Sequence, residues 1–181
     1  TTMIGLALAF HFLHRNPAAL ARTQETLDGL AGQPLEVVAR DPWLNAVARE
    51  SLRVHPIIPG VFRTVVKPWT LGEYHLEPGD NVLVSVVMIH SNAELYPEPF
   101  AFKPERFLER NYKAWEYIPF GGGARRCIGA ALSIYESVIV LATTLGGHRF
   151  EALDDKPMKV TRRNLSLGPA DAVPLRYLGP R

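Results

Sequence analysis

The only cysteine of the chain lies in a stretch rich in glycine and arginine, PFGGGARRCIGAAL, at positions 119–132. Four interpretations suit these residue types: a phosphate-binding loop, a nucleophile, a metal ligand, or the start of a helix without a chemical role. A phosphate-binding loop requires a lysine followed by serine or threonine after its last glycine, and the stretch has neither in those places. A nucleophilic thiolate requires a histidine base, and the six histidines are scattered along the chain.

The ligand interpretation uses more of the residues in this stretch. Cys127 precedes a long apolar run that is typical of a helix, and the positive end of a helix favours a thiolate. Glycines at 121–123 and 129 leave room for a flat, bulky group close to the backbone, and Arg125 offers charge to an anionic substituent. A buried structural cysteine is the alternative, and it is the commonest role of a lone one.

Two other patterns contain charged residues that can pair. Glu50 and Arg53 lie three positions apart on a predicted helix, where most such pairs are solvated and stabilise by roughly 0.3 to 0.5 kcal/mol. Arg106 belongs to PERF in a proline-rich stretch, where a forked hydrogen bond to a carboxylate would order the loop. An ordinary turn is the alternative for PERF.

Composition limits the class of protein. With 181 residues, of which 47% are hydrophobic, the chain suits one domain with a real core. The net charge of +2 comes without a basic run, so we expect no nucleic-acid partner. A single cysteine excludes an internal disulfide framework and is compatible with a reducing compartment.

The positions of helix caps, prolines and glycines along the chain predict a mainly α protein with small β-sheets, an α+β fold. Asn16-Pro17 and Asp41-Pro42 each combine an N-cap with a first-turn proline, so residues 1–55 are expected to be helical with short breaks. Strands are predicted at 61–66, 69–76 and 81–87, a long loop at 96–119, and a helix at 128–145. The tail is predicted to form strands around a Gly168-Pro169 turn.

The first fourteen residues are apolar nearly all round, which favours a buried helix. They are too few to span a bilayer, which takes ~20 apolar residues, and they lack the features of a signal peptide. Because the chain opens within this run without a cap, we expect a fragment of a longer protein.

Taken together in this order, these residues resemble the C-terminal part of a cytochrome P-450, a member of the haem-thiolate monooxygenase family. The family's haem-binding signature, Phe-x-x-Gly-x-Arg-x-Cys-x-Gly, is met at every fixed position by Phe120, Gly123, Arg125, Cys127 and Gly129. Its Glu-x-x-Arg helix pair and its loop arginine are met by Glu50, Arg53 and Arg106. The resemblance covers residues 1–181, which are expected to form the C-terminal, haem-binding portion of a single domain whose N-terminal portion is absent.

The resemblance implies a role for each of these residues. Cys127 would be the proximal thiolate on the iron of haem b (iron protoporphyrin IX), with Phe120 beside the sulfur and Gly129 allowing the helix to approach the haem. Arg125 and Arg63 would bind the haem propionates. Glu50, Arg53 and Arg106 would form a buried charged triad that holds the loop before the cysteine.

Thr1 resembles the family threonine that helps to deliver protons to bound dioxygen, and Thr2 stands beside it. Terminal threonines without a role are the alternative. Ile58 to Val61, with Leu165 and Ser166, resemble substrate-contacting stretches, and their apolar character suggests a hydrophobic substrate; simple strand packing is the alternative. Arg110, Lys113 and Arg126 form a possible docking face for an electron donor, although a merely solvated face is the more common case.

The implied function is the insertion of one oxygen atom from O2 into a small or medium apolar organic molecule. Electrons from NAD(P)H would arrive through a separate ferredoxin or flavoprotein reductase, because the sequence has no nucleotide-binding fingerprint. A truncated, catalytically silent haem-binding module is one alternative. A haem-thiolate enzyme that rearranges peroxides is another, against which Thr1 argues. A cytoplasmic location is expected, with a membrane anchor in the N-terminal portion left open.

Overall fold

Asparagine and aspartate caps start two of the helices that dominate the first third of the chain. The computed structural model describes residues 1–154 and 156–181. Asn16 accepts a hydrogen bond from the backbone N–H of Ala19 at 3.1 Å, and Asp41 accepts one from that of Leu44 at 2.8 Å. Both caps precede a proline in the first turn, as predicted. The helices are α1 (Thr2–His14), α2 (Pro17–Gly29), α3 (Leu35–Val38), α4 (Pro42–Val54), α5 (Val86–His90), α6 (Arg106–Glu109) and α7 (Ala130–Gly147).

The strands pair into small antiparallel sheets of two strands each, with β1 on β4, β2 on β3, β5 on β8 and β6 on β7. Their bounds are β1 (Gly60–Thr64), β2 (Trp69–Leu71), β3 (Tyr74–Leu76), β4 (Asn81–Ser85), β5 (His148–Ala152), β6 (Val160–Arg163), β7 (Ser166–Pro169) and β8 (Leu175–Pro180). The mainly α fold with small sheets is therefore confirmed.

Several details of the prediction are wrong. The stretch predicted as a strand at 69–76 forms two strands, β2 and β3, which pair with each other. The strand predicted at 81–87 ends at Ser85, because the Ser85 hydroxyl accepts a hydrogen bond from the backbone N–H of Met88 at 3.2 Å and caps α5. In the tail, Gly168 and Pro169 lie inside β7. The turn consists instead of Asn164 and Leu165, and Asn164 takes the left-handed conformation with φ of 56°. Asparagine tolerates that conformation, so it serves as the turn residue.

The core lies where α1, α2, α4 and α7 meet. Leu13, Leu44, Val47, Val138 and Leu141 are all fully buried there. By length and composition α7 is the one helix in the described ranges that could cross a membrane. Its buried residues pack against the other core helices, which is typical of the central helix of a folded domain.

Candidate functional site

The segment before α7 folds back on itself and places Cys127 close to the start of that helix. The backbone N–H of Cys127 donates to the oxygen of Phe120 at 2.9 Å, and that of Gly121 donates to the oxygen of Ile118 at 3.0 Å. Gly121 and Gly123 have φ of 69° and 66°, a conformation that L side chains rarely adopt. The sequence therefore needs glycine at these two places to make the turn, and Cys127 is left exposed.

Most of the residues singled out in the sequence line one cavity of about 370 Å³ in front of this loop. They come from the start of α1, from the segment leading into β1, and from the loop before α7 with the first turn of that helix. The predicted site residues on its wall are Thr1, Ile58, Val61, Arg63, Phe120, Arg125, Cys127 and Gly129.

The wall of the cavity contains an apolar part and a basic part, together with the polar residues Thr1, Thr2, Ser133 and Glu136. Leu52, Ile57 and Val86 are buried side chains that continue the apolar surface of Ile58 and Val61.

The basic part consists of Arg63 and Arg125, both exposed. Within residues 1–154 and 156–181, neither guanidinium pairs with a carboxylate, and the Arg63 side chain donates to the backbone oxygen of Phe62 at 2.8 Å. Two free guanidinium groups on one cavity favour an anionic ligand.

Three of the residues predicted to contact haem or substrate lie outside this wall. Gly123 lines a neighbouring cavity instead. Leu165 is 70% exposed in the turn between β6 and β7, and the Ser166 hydroxyl donates to the backbone oxygen of Arg163. The structure thus brings Ile58 and Val61 to the cavity but not Leu165 or Ser166. The backbone N–H of the next residue, Leu167, donates to the backbone oxygen of Ile57 at 2.7 Å. Strand β7 is therefore hydrogen-bonded to the segment that lines the cavity.

Glu50, Arg53 and Arg106 meet in a buried network, although they come from α4 and from the start of α6. Arg53 Nε lies 2.7 Å from one Glu50 carboxylate oxygen, and its Nη2 lies 2.8 Å from the other. Arg106 Nε donates to the same carboxylate at 3.1 Å. Glu50, Arg53 and Arg106 are 0%, 1% and 7% exposed, so neither the solvated-pair nor the ordinary-turn interpretation holds.

The network also holds the proline-rich segment that follows α5. The remaining Arg53 donors reach the backbone oxygens of His90, Pro99 and Ala101 at 2.9, 2.7 and 3.1 Å. The backbone N–H of Lys103 donates to Glu50 at 2.9 Å. A segment with little regular structure therefore gains its order from one buried carboxylate and its two arginines.

His90 belongs to the same region, and sequence reasoning missed it. Its imidazole Nε2 accepts a hydrogen bond from the backbone N–H of Ile118 at 3.1 Å, just before the cysteine loop. Burial, together with the nearby Arg53 charge, lowers the pKa of His90 to about 4, so the ring is neutral at ordinary pH. No local pattern marks this histidine, because both of its partners come from distant parts of the chain.

A second cavity, of about 790 Å³, shares Val61, Arg63 and Gly121 with the first. Arg49, Lys113 and Arg126 add positive charge to its wall, and Trp115 is exposed beside Lys113. Arg110 does not join this surface as a free charge, because it forms an ion pair with Glu116 at 2.9 Å. The predicted basic face is therefore corrected to one without Arg110.

Comparison with known proteins agrees with this arrangement. The family model for cytochrome P-450 matches residues 1–173. The chain belongs to the cytochrome P-450 family. Putative cytochrome P-450 137 of Mycobacterium tuberculosis is 36% identical over 177 residues, and dimethylnonatriene synthase of Arabidopsis thaliana is 33% identical over 184 residues.

Solved structures of cytochrome P-450 proteins superpose on almost the whole chain. The cytochrome P-450 CYP102L1 has a TM-score of 0.87 at 31% identity and covers 98% of this chain. The haem domain of cytochrome P-450DA has a TM-score of 0.89 at 26% identity and covers all of it. The chain spans 35% of the length of the mycobacterial and Arabidopsis relatives, and 42% and 41% of the two solved chains.

Haem b is the cofactor of this family, and the chemistry of the residues on the cavity wall suits it. The one thiol of the chain is exposed on the wall and offers a soft ligand for iron. Arg63 and Arg125 offer charge to two carboxylates. A Cβ built on Gly129 would lie 3.9 Å from the Cys127 sulfur, so glycine keeps clear the space next to the thiol.

Proposed function

We propose that the protein containing this chain is a haem-thiolate monooxygenase, which inserts one oxygen atom from O2 into an apolar organic molecule. The observation that carries the proposal is that one cavity joins the thiol of Cys127, the guanidinium groups of Arg63 and Arg125, and the hydroxyl of Thr1. A metal ligand, two anion-binding groups and a proton-carrying group thus face the same space. Residues 1–181 are, on this proposal, the C-terminal haem-binding portion of a single domain.

Each residue at the loop has a distinct task. Haem, when bound, supplies the activation of O2 that side chains alone do not provide. Cys127 holds the iron as its thiolate, while Arg125 and Arg63 bind the propionates. Phe120 packs beside the sulfur, and Gly129 leaves room for the haem close to the start of α7.

Thr1 holds a proton at its hydroxyl on the same cavity, where it can be passed on during O2 reduction. Within residues 1–154 and 156–181, the Thr1 side chain makes no capping hydrogen bond to the first turn of α1, which leaves its hydroxyl available for that task. A reaction that rearranges a peroxide has no need of such a proton, so the position of Thr1 favours the monooxygenase.

The apolar part of the cavity wall supports an apolar substrate. Ile58 and Val61, continued by Leu52, Ile57 and Val86, offer no hydrogen-bonding side chain to a ligand. Such a surface excludes water and binds hydrocarbon, so we propose a small or medium apolar substrate.

The second cavity suggests how electrons arrive. Arg49, Lys113 and Arg126 form a basic surface close to the cysteine loop, with Trp115 exposed among them. Such a surface attracts an acidic protein, so we propose a ferredoxin or a flavoprotein reductase as the donor, supplied in turn by NAD(P)H. A reducing compartment keeps the Cys127 thiol free, which favours the cytoplasm.

One observation favours a second candidate for the 181-residue chain taken alone. Cys127 is exposed, and Ile128 beside it has no cover at all. A thiolate–iron bond that is open to water is easily displaced or protonated, so the isolated chain is proposed to bind haem weakly and to be catalytically silent.

The reduced, carbon-monoxide-bound absorption spectrum of the haem-loaded protein tests the proposal. We expect a thiolate-type Soret band that is lost in Cys127→Ala. His75→Ala is the matched control, because this exposed histidine lies on the β2–β3 hairpin and is not on the cavity wall. A band that persists in Cys127→Ala would show that another residue holds the iron and would overturn the assignment.

A further inference from the structure

His90 lies between the buried triad and the cysteine loop, which is residues 120–127. It is hydrogen-bonded to Arg53 of the triad and to Ile118, which directly precedes the loop. Its backbone oxygen accepts from Arg53 Nη1 at 2.9 Å. Its imidazole Nε2 accepts from the backbone N–H of Ile118 at 3.1 Å. The residue is 2% exposed, so water does not compete for either bond.

The connection continues from Ile118 to the thiol through the backbone alone. The oxygen of Ile118 accepts from the N–H of Gly121 at 3.0 Å, and the oxygen of Phe120 accepts from the N–H of Cys127 at 2.9 Å. Because Arg53 is itself bound to Glu50, an unbroken series of contacts runs from the triad through His90 to the cysteine loop.

Two tyrosines hold the imidazole in its orientation. The ring lies nearly parallel to that of Tyr117, with centroids 5.5 Å apart, and edge-on to that of Tyr96 at 5.9 Å. Each tyrosine is fixed in turn, since the Tyr117 hydroxyl donates to the oxygen of Arg49 at 3.0 Å and that of Tyr96 to the oxygen of Glu116 at 2.8 Å. A ring held on two sides presents Nε2 in one direction only.

We propose that His90 is a positioning residue for Cys127, acting as the hydrogen-bond acceptor that transmits the order of the Glu50–Arg53 pair to the cysteine loop. The proposal rests on Cys127 being the haem ligand. It requires the neutral imidazole with its proton on Nδ1, because only then does Nε2 have a lone pair for the Ile118 N–H.

Two substitutions distinguish the effect of the hydrogen-bond acceptor from the effect of the aromatic ring. His90→Phe keeps an aromatic ring but removes the acceptor, whereas His90→Gln offers a side-chain oxygen to the Ile118 N–H. In the carbon-monoxide-bound ferrous protein we expect His90→Phe to speed amide exchange at Ile118 about tenfold to a hundredfold, the range for a buried N–H that loses its acceptor. We also expect His90→Phe to lower the fraction of thiolate-type Soret absorbance. His90→Gln should restore part of this fraction and part of the protection of the Ile118 amide.

A destabilised core is the merely structural explanation, and Leu44→Ala controls for it. Leu44 is fully buried but does not contact the cysteine loop by hydrogen bonding, so this variant lowers stability without removing the acceptor. The proposal expects Leu44→Ala to leave the thiolate-type fraction of the loaded protein unchanged. An equal loss of the thiolate-type fraction in Leu44→Ala and His90→Phe would overturn the proposal.

The tautomer gives a test that needs no substitution. We expect the ¹⁵N spectrum of the wild-type protein to show His90 Nε2 as an unprotonated, accepting nitrogen; a proton on Nε2 would overturn the proposal even if every variant failed to fold. If the whole wild-type protein that contains this chain shows no thiolate-type band, the proposed function fails. If the band is normal but His90→Phe retains both the band and the Ile118 protection, the function stands and the role of His90 fails.

Discussion

The backbone oxygen of Phe120 accepts a hydrogen bond from the N–H of Cys127 at 2.9 Å, which closes residues 120–127 into a loop. The thiol is therefore placed by the backbone, and the side chains around it are free to meet a ligand. Gly121 and Gly123 make this closure possible through positive φ angles. The buried network of Glu50, Arg53 and Arg106 then helps to hold the loop in this geometry.

Removing the Glu50 carboxylate should prevent haem incorporation. Glu50→Ala leaves the guanidinium groups of Arg53 and Arg106 buried without a counter-charge, at a cost of about 3 to 5 kcal/mol. The Lys103 N–H loses its acceptor as well. Denaturant unfolding and haem content of the purified protein measure the two effects.

Glu105→Ala is the control for that variant. Glu105 is half-buried and makes a surface pair with Arg22 at 3.8 Å, so its removal should change stability by less than about 1 kcal/mol. A stable, haem-loaded Glu50→Ala protein would refute the role given to the triad.

Gly129 and Gly168 should respond differently to the same substitution. At Gly129 the φ is −85° and the nearest atom to an added Cβ lies at 3.9 Å, so Gly129→Ala should leave the haem-free fold unchanged. The methyl group would occupy space next to the Cys127 sulfur, so haem affinity should fall about tenfold or more. Haem titration and thermal unfolding of the apoprotein separate these effects.

At Gly168 an added Cβ would come within 2.9 Å of Ile4, so Gly168→Ala should destabilise the apoprotein by about 1 to 3 kcal/mol. Normal haem affinity in Gly129→Ala would show that the space beside the thiol is not used by the ring.

The two arginines on the cavity wall should each contribute to cofactor affinity. Arg125→Gln and Arg63→Gln remove a charge-assisted hydrogen bond to a propionate, and each should raise the haem dissociation constant by about tenfold to a hundredfold. Arg162→Gln is the control, because that side chain is exposed and bonds to the backbone oxygen of Asn164 on the β6–β7 hairpin. Unchanged haem affinity in both cavity variants would argue against propionate binding here.

Burial of His90 should make stability fall as the pH drops. The pKa of this imidazole is lowered from 6.5 to about 4 in the folded protein. Between those values the unfolded chain binds the additional proton, so the free energy of unfolding decreases as pH falls from about 6.5 to about 4, by about 3 kcal/mol in all. Urea unfolding at about pH 7 and about pH 4.5 measures the decrease.

His90→Gln isolates this contribution. The pKa values of His11, His14 and His55 are also lowered by burial, but these residues are present in both proteins and their effects cancel in the difference. The variant should lose less stability on acidification than the wild-type protein. An identical pH dependence would contradict the burial of a neutral imidazole at this position.

Thr1 should affect the use of oxygen more than the binding of haem. Thr1→Ala removes the hydroxyl proton from the cavity, so we expect less product and more hydrogen peroxide for each O2 consumed, with the haem spectrum unchanged. Thr2→Ala is the comparison, since its hydroxyl faces Ser133 at 3.4 Å and should matter less. Equal peroxide release in the two variants would remove the special role of Thr1.

The helices could be predicted from the sequence because their signals are local. Asn16 and Asp41 cap their own helices within three residues, and the prolines behind them fit the first turn. The cysteine signature and the Glu-x-x-Arg pair were likewise readable from spacing. The burial of that pair could not be read from spacing and was implied only by the family resemblance, because it depends on a loop some fifty positions away.

The remaining details follow from tertiary contacts. Gly168 and Pro169 carry the usual turn signal, yet they pair within β7 because Asn164 makes the turn first. His90 has no sequence signature for its role, since its acceptor function exists only when Ile118 is brought to it. Leu165 matched an apolar pattern but lies at a hairpin tip, away from the cavity.

The cavity is built from the two ends of a long stretch of chain, and this determines when it can form. The hydroxyl of Thr2 reaches that of Ser133 across 131 positions of sequence. Closing so long a loop costs conformational entropy before the contacts that close it add stability, so these contacts form late in folding. Local helices such as α2 and α4 should therefore appear first, and the cofactor should be captured only in the last stage of assembly.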